Sequence, residues 1–191
     1  PETRRYYDQR LLLLRETGDR AAMEAHLRDV IDRFPEDIDA KGTLVQYLMV
    51  TGDREGAEAF LREISDPAAA DPTFFISLVQ FLKEERGIDA ARAELEAALD
   101  VNPTPDRLRT IIAALDFEDG KQDKAIADLQ AILDNKEDGA EPSELDNEIR
   151  IALARMLLST GNEVGAQRLV EEVLEADSDN VAALKLSAAR L

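Results

Sequence analysis

The tetrapeptide Thr17-Gly18-Asp19-Arg20 returns 34 residues later as Thr51-Gly52-Asp53-Arg54. A fixed period of that size restricts the chain to one supersecondary unit stacked repeatedly along a line. Each copy lies between two runs of apolar residues at helical spacing, so it reads as the tight turn of a helical hairpin. Gly18 or Gly52 ends one helix, and Asp19 or Asp53 caps the next.

The core repeats with the turn. Leu14, Leu48 and Leu82 recur at the 34-residue step before it, and Leu27, Leu61, Leu95 and Leu129 after it. A small-residue slot holds Met23, Ala57, Ala91 and Ala125, and a slot facing the first helix holds Val30, Ile64, Ala98 and Ile132. A fifth copy is displaced by seven residues. Its turn is Gly161-Asn162, and its slots hold Leu157, Ala166, Val170 and Val173.

This pattern resembles the tetratricopeptide repeat (TPR) family, in a divergent, bacterial-type form. That family's unit is a helix-turn-helix with a small residue early in the second helix and a proline after it. Pro35 and Pro103 occupy the proline slot, whereas Tyr7, Lys41, Phe75 and Arg150 stand where the family places a tryptophan. The resemblance implies an all-α, right-handed superhelical solenoid without strands, of eleven helices in about five repeats plus a terminal helix. The repeats are expected over 4–37, 38–71, 72–105, 106–136 and 143–179, with a terminal helix at 180–191, as a single elongated unit.

Local signals refine the layout. Asp71-Pro72 and Thr104-Pro105 each read as an N-cap followed by proline in the first helical turn. Leu108, Ile111, Ile112 and Leu115 place the fourth repeat's first helix one residue early, which predicts that the turn Phe117–Gly120 is a residue longer than the earlier ones. The seven-residue insertion, Lys136 to Pro142, is polar, acidic and broken by Gly and Pro, and is expected to be the most mobile internal segment. Ser143 with Asp146 reads as a capping pair, and Asp179 or Asn180 caps the last helix. Phe74, Phe75 and Phe81 form the densest aromatic cluster and read as core. Leu61 and Leu95 are expected to be buried, and Glu58 exposed.

Charge and composition narrow the functions. The formal net charge of −18 argues against nucleic acid and anionic membranes, which require a positive surface. Its simplest reading is a solvated, self-repelling surface, with a basic partner as the alternative. There is no cysteine, hence no disulfide or zinc-thiolate site, and no apolar run approaches the roughly 18 residues that span a bilayer. The beginning at Pro1 and the end at Leu191, inside a helix, read as a piece of a longer chain, which leaves both the cytoplasm and the bacterial envelope open. Chemistry is hard to find. His26, the only histidine, reads as a surface or packing residue, and the acidic stretch Asp134 to Glu148 lacks the spacing of an EF-hand. No nucleophile elbow or phosphate loop appears. The chain is expected to be no enzyme and to bind no metal or cofactor.

In the family that the chain resembles, first helices line a concave face that receives peptides. Carried onto this sequence, that face would comprise Asp8, Leu12 and Arg15; Gln46 and Met49; Ile76, Gln80 and Lys83; Arg109, Ala113 and Asp116; and Ile151, Arg155 and Leu158. Four bases and two acids make it close to charge-balanced within an acidic chain. Arg15, Gln46, Met49, Ile76, Gln80, Lys83, Arg109 and Arg155 are the candidate ligand-binding residues. The slots of a chaperone-tail carboxylate clamp hold Asp8, Leu12, Thr43, Thr73 and Ser77, none of which matches. The expected function is a non-catalytic scaffold holding a protein or peptide in the groove. A spacer segment of a bacterial envelope assembly or polymer-export protein is the alternative, and self-association through the terminal repeats is a further expected contact.

Overall fold

The computed structural model describes residues 4–69, 71–101, 105–135 and 142–188. Among them are eleven α-helices and no strand: α1 (Arg4–Thr17), α2 (Arg20–Arg33), α3 (Ile38–Thr51), α4 (Arg54–Ile64), α5 (Thr73–Arg86), α6 (Ile88–Leu99), α7 (Pro105–Glu118), α8 (Gln122–Asp134), α9 (Glu144–Ser159), α10 (Glu163–Ala176) and α11 (Val181–Ala188). Pro103, Thr104, the insertion over 136–141 and the end of the terminal helix at Leu191 lie outside the described residues.

Turn chemistry sets the hairpins. Gly52 sits at φ 84°, a left-handed conformation that costs a residue with a Cβ roughly 1–2 kcal/mol. There its N–H reaches the Met49 carbonyl at 3.2 Å, and the Asp53 N–H reaches Leu48 at 2.9 Å, satisfying carbonyls that α3 leaves open. The Asp53 carboxylate then accepts the Gly56 N–H at 2.9 Å and starts α4. Gly161 and Asn162 repeat the device, with Asn162 bonded to Leu157 at 2.8 Å. Gly120 bonds to Phe117 at 3.2 Å and Lys121 to Asp116 at 2.8 Å, so the fourth turn has the same hydrogen bonds, while its helix-free stretch, 119–121, is a residue longer than 18–19 and 52–53. The Ser143–Asp146 capping box is present, and the Asn180 side chain, rather than Asp179, accepts the Ala183 N–H that opens α11 at 3.1 Å.

The chain divides into two compact units, 1–81 and 82–191, the boundary falling inside α5. In the first, α1 packs on α2, α2 on α3 and α3 on α4. In the second, each helix from α6 to α11 packs on its successor, and α7 also lies against α9 and α9 against α11.

The repeated positions form the core. Leu27, Leu61, Leu95 and Leu129 are all buried, as are Met23, Ala57, Ala91, Ala125 and Ala166 in the small slot. Burying each such leucine contributes about 1.5–3 kcal/mol. Phe75 and Phe81 are buried as expected; Phe74 is half-buried, with Lys41 Nζ 6.0 Å from its ring centre. His26 is a packing residue, 2 % exposed. Its ring stacks on Tyr7 at 5.6 Å, and its Nε2 lies 2.9 Å from the Tyr7 carbonyl. Glu58 departs from its expected exposure: its side chain is 15 % exposed and pairs with Arg62 at 3.2 Å.

Candidate functional site

A helix in a stacked hairpin buries one stripe and leaves the rest for other uses. On the first helices, Arg15, Gln46, Ile76, Gln80, Arg109 and Arg155 are exposed, and Met49 and Lys83 are half-buried. Three further positions carried over for the concave face are not surface at all. Ala113 and Asp116 are fully buried and Ile151 is 6 % exposed. Ala113 and Ile151 belong to the same apolar cluster, which forms where α7, α9 and α11 close on one another.

The cations differ in their freedom. Lys83 Nζ lies 3.0 Å from Glu118, and Arg109 lies 3.3 Å from Asp106 on its own helix. Arg15 and Arg155 form no ion pair with a described residue. In the first unit, Arg15 and Gln46 face a cleft of about 380 Å³ between α1, α2 and α3. In the second, Arg109 borders a hollow of about 690 Å³ with Ile112, Asp106 and Asp128. Bidentate binding of a carboxylate or carbonyl is within the reach of any exposed guanidinium among these.

The densest charge lies elsewhere and was missed at the level of sequence. Asp116 stands at the 34-residue step beyond Leu82, in the slot that Leu48 and Leu82 fill with hydrocarbon. Its carboxylate is fully buried and is met by Arg92 from α6 and by Lys124 Nζ of α8 at 2.7 Å. Lys121 Nζ is 3.6 Å away, and the cluster is completed by Asp119 and Asp128. Burial alone would push the Asp116 carboxyl up. The hydrogen bonds and positive charge of Lys124 and Arg92 outweigh it and hold the group below the usual carboxylate value. Held by cations from neighbouring elements, the fully buried Asp116 carboxylate joins α6, α7 and α8. The signal available in the sequence was the leucine slot itself, with Arg92, Lys121 and Lys124 on the helices that flank it.

No family model and no curated protein matches the chain. Solved structures do. TTC0263, a thermophilic TPR protein of Thermus thermophilus, is similar with 21 % identity and a TM-score of 0.59, over 98 % of this chain and 98 % of that one. YrrB, a TPR protein with an unusual peptide-binding site, is similar with 14 % identity and a TM-score of 0.51, over 97 % of this chain and 91 % of that one. At these identities the likeness establishes the fold, which is that of a divergent TPR array. No helix among the described residues is long and apolar enough to cross a membrane.

Proposed function

We propose that this tetratricopeptide-repeat array is a non-catalytic scaffold that binds a protein or peptide on the exposed face of its first helices. The observation that carries the reading is the presence on those helices of side chains that the repeat does not use. Arg155 is exposed without an ion-pair partner among the described residues, and Ile76 leaves 40 % of its surface in water. Unpaired guanidinium groups and exposed apolar side chains are each among the residue types that protein contacts use. The fold likeness to YrrB, which has a peptide-binding site, agrees with the class of function and not with any particular ligand.

Reversal of Arg155 is the informative change, because Lys83 is already engaged by Glu118 and its reversal would set two acids together. In a pull-down with the chain as bait, Arg155→Glu is expected to remove captured protein while leaving the melting temperature within a degree or two of wild type, about the shift of a surface change. Glu171→Lys with Glu175→Lys, on second helix α10, is expected to change nothing. Loss of binding in the α10 variant alone would transfer the site to the acidic second helices and favour a basic partner. A spacer segment makes no use of Arg155, so unaltered capture in both variants favours that reading instead.

A further inference from the structure

Within the first unit, the first helices α1 and α3 are tied at one end and separate at the other. Arg4 Nε of α1 lies 2.6 Å from the Asp37 carboxylate that caps the start of α3. The helix bodies then stand apart, in contrast to α7 against α9 and α9 against α11 in the second unit. Between their C-terminal halves lies the cleft of about 380 Å³, lined by Leu11, Leu14, Met23, Leu27, Tyr47 and Val50 among others. That volume falls in the roughly 300–1,000 Å³ range of ligand clefts. Its opening is registered by Leu14. Leu48, Leu82 and Leu157 in the same repeated slot are buried, whereas Leu14 is only half-buried. The Tyr47 hydroxyl donates to the Arg20 carbonyl at 2.9 Å, which holds one wall in place.

Three charged side chains border the cleft: Arg15, Asp19 and Arg20. Asp19 is committed to capping α2, its carboxylate accepting the Ala22 N–H at 3.0 Å. Arg15 and Arg20 are exposed and form no ion pair with a described residue. An apolar wedge flanked by two unpaired guanidinium groups is complementary to hydrocarbon accompanied by negative charge. We infer that the α1–α3 cleft takes an acidic peptide segment of a partner protein, with one large apolar side chain in the wedge and flanking carboxylates on Arg15 and Arg20. The inference rests on the scaffold reading and names its ligand class.

The test is selection of a phage-displayed random peptide library on the immobilised full chain, followed by fluorescence anisotropy with a labelled selected peptide. Enriched peptides are expected to carry Leu, Ile, Phe or Met flanked by Asp or Glu. Arg15→Glu combined with Arg20→Glu is expected to weaken the selected peptide by roughly tenfold or more, the scale of a lost charge-assisted contact. Gln46→Trp, which places an indole at the cleft, is expected to do the same, with the helical circular-dichroism signal and melting temperature retained in both. Enrichment of basic peptides, no enrichment, or equal affinity for the double-reversal variant would overturn the inference. Acidic peptides whose affinity follows Arg155 rather than Arg15 and Arg20 would preserve the scaffold and remove the cleft. Failure of the scaffold itself is recognised separately, by a pull-down that Arg155→Glu leaves unchanged.

Discussion

Asp116→Ala is expected to destabilise the protein by about 3–5 kcal/mol, the cost of taking from a largely buried cation its main counter-charge and leaving only Asp119 at 3.7 Å. Arg92 bears most of this, since only 16 % of its side chain is exposed, whereas Lys121 and Lys124 are about half exposed and can turn to water. The complementary experiment restores hydrocarbon to the slot. Asp116→Leu with Arg92→Met is expected to recover most of the loss, because an apolar pair of similar volume avoids the desolvation of two ions. Chemical denaturation of the three chains measures both numbers. The pH dependence adds a second signature. The folded carboxyl lies below its unfolded value of 3.8, so its stabilisation is complete above that value and is lost as pH falls through the folded one. Wild type is therefore expected to lose more stability on acidification below about pH 4 than the apolar double variant. Identical acid profiles would show that Asp116 does not titrate as a held carboxylate.

Leu95→Ala is expected to cost about 2–5 kcal/mol, from lost transfer energy and the cavity left among helices that cannot close completely. Leu95 is 0 % exposed and Leu61 is 1 % exposed, so Leu61→Ala is expected to behave alike. Glu58 is an unsuitable comparison because of its pairing with Arg62. Glu63, exposed on α4, is the appropriate one, with an expected change within about 0.5 kcal/mol. Equal denaturation shifts for Leu95→Ala and Glu63→Ala would contradict the register of the repeat.

The period was legible because two independent chemical requirements recur with it. A glycine must supply the left-handed turn, as Gly52 does, and a leucine must meet the neighbouring hairpin, as Leu61 and Leu95 do. Helix limits followed from caps that announce themselves, Asp53, Ser143 and Asn180 among them. Asp116 was not legible as core. Pattern reading takes a carboxylate on a helix as surface, and only the arrival of Arg92, Lys121 and Lys124 from outside its own helix makes its burial tolerable. The same substitution sets the fourth repeat's apolar phase one residue early, because Leu115 is buried next to Asp116. Of the residues assigned to the candidate surface, Arg15 and Arg155 are exposed, on first helices that have an open side. They were misplaced at Ala113 and Ile151, where α7, α9 and α11 close together. Periodicity reports which stripe of a helix faces its own hairpin partner. It does not report how closely the next first helix approaches, and the difference between the open α1–α3 pair and the closed α7–α9 pair has no signature in the repeat itself.

Whether the first helices are the working surface is decided by amide hydrogen exchange of the chain with and without its captured partner. Slowed exchange is expected along α1, α3, α7 and α9 and in the first turns of α2, centred on the turns bearing Arg15, Arg20, Gln46, Arg109 and Arg155, with α4, α8 and α10 unchanged. Protection confined to those second helices would contradict it.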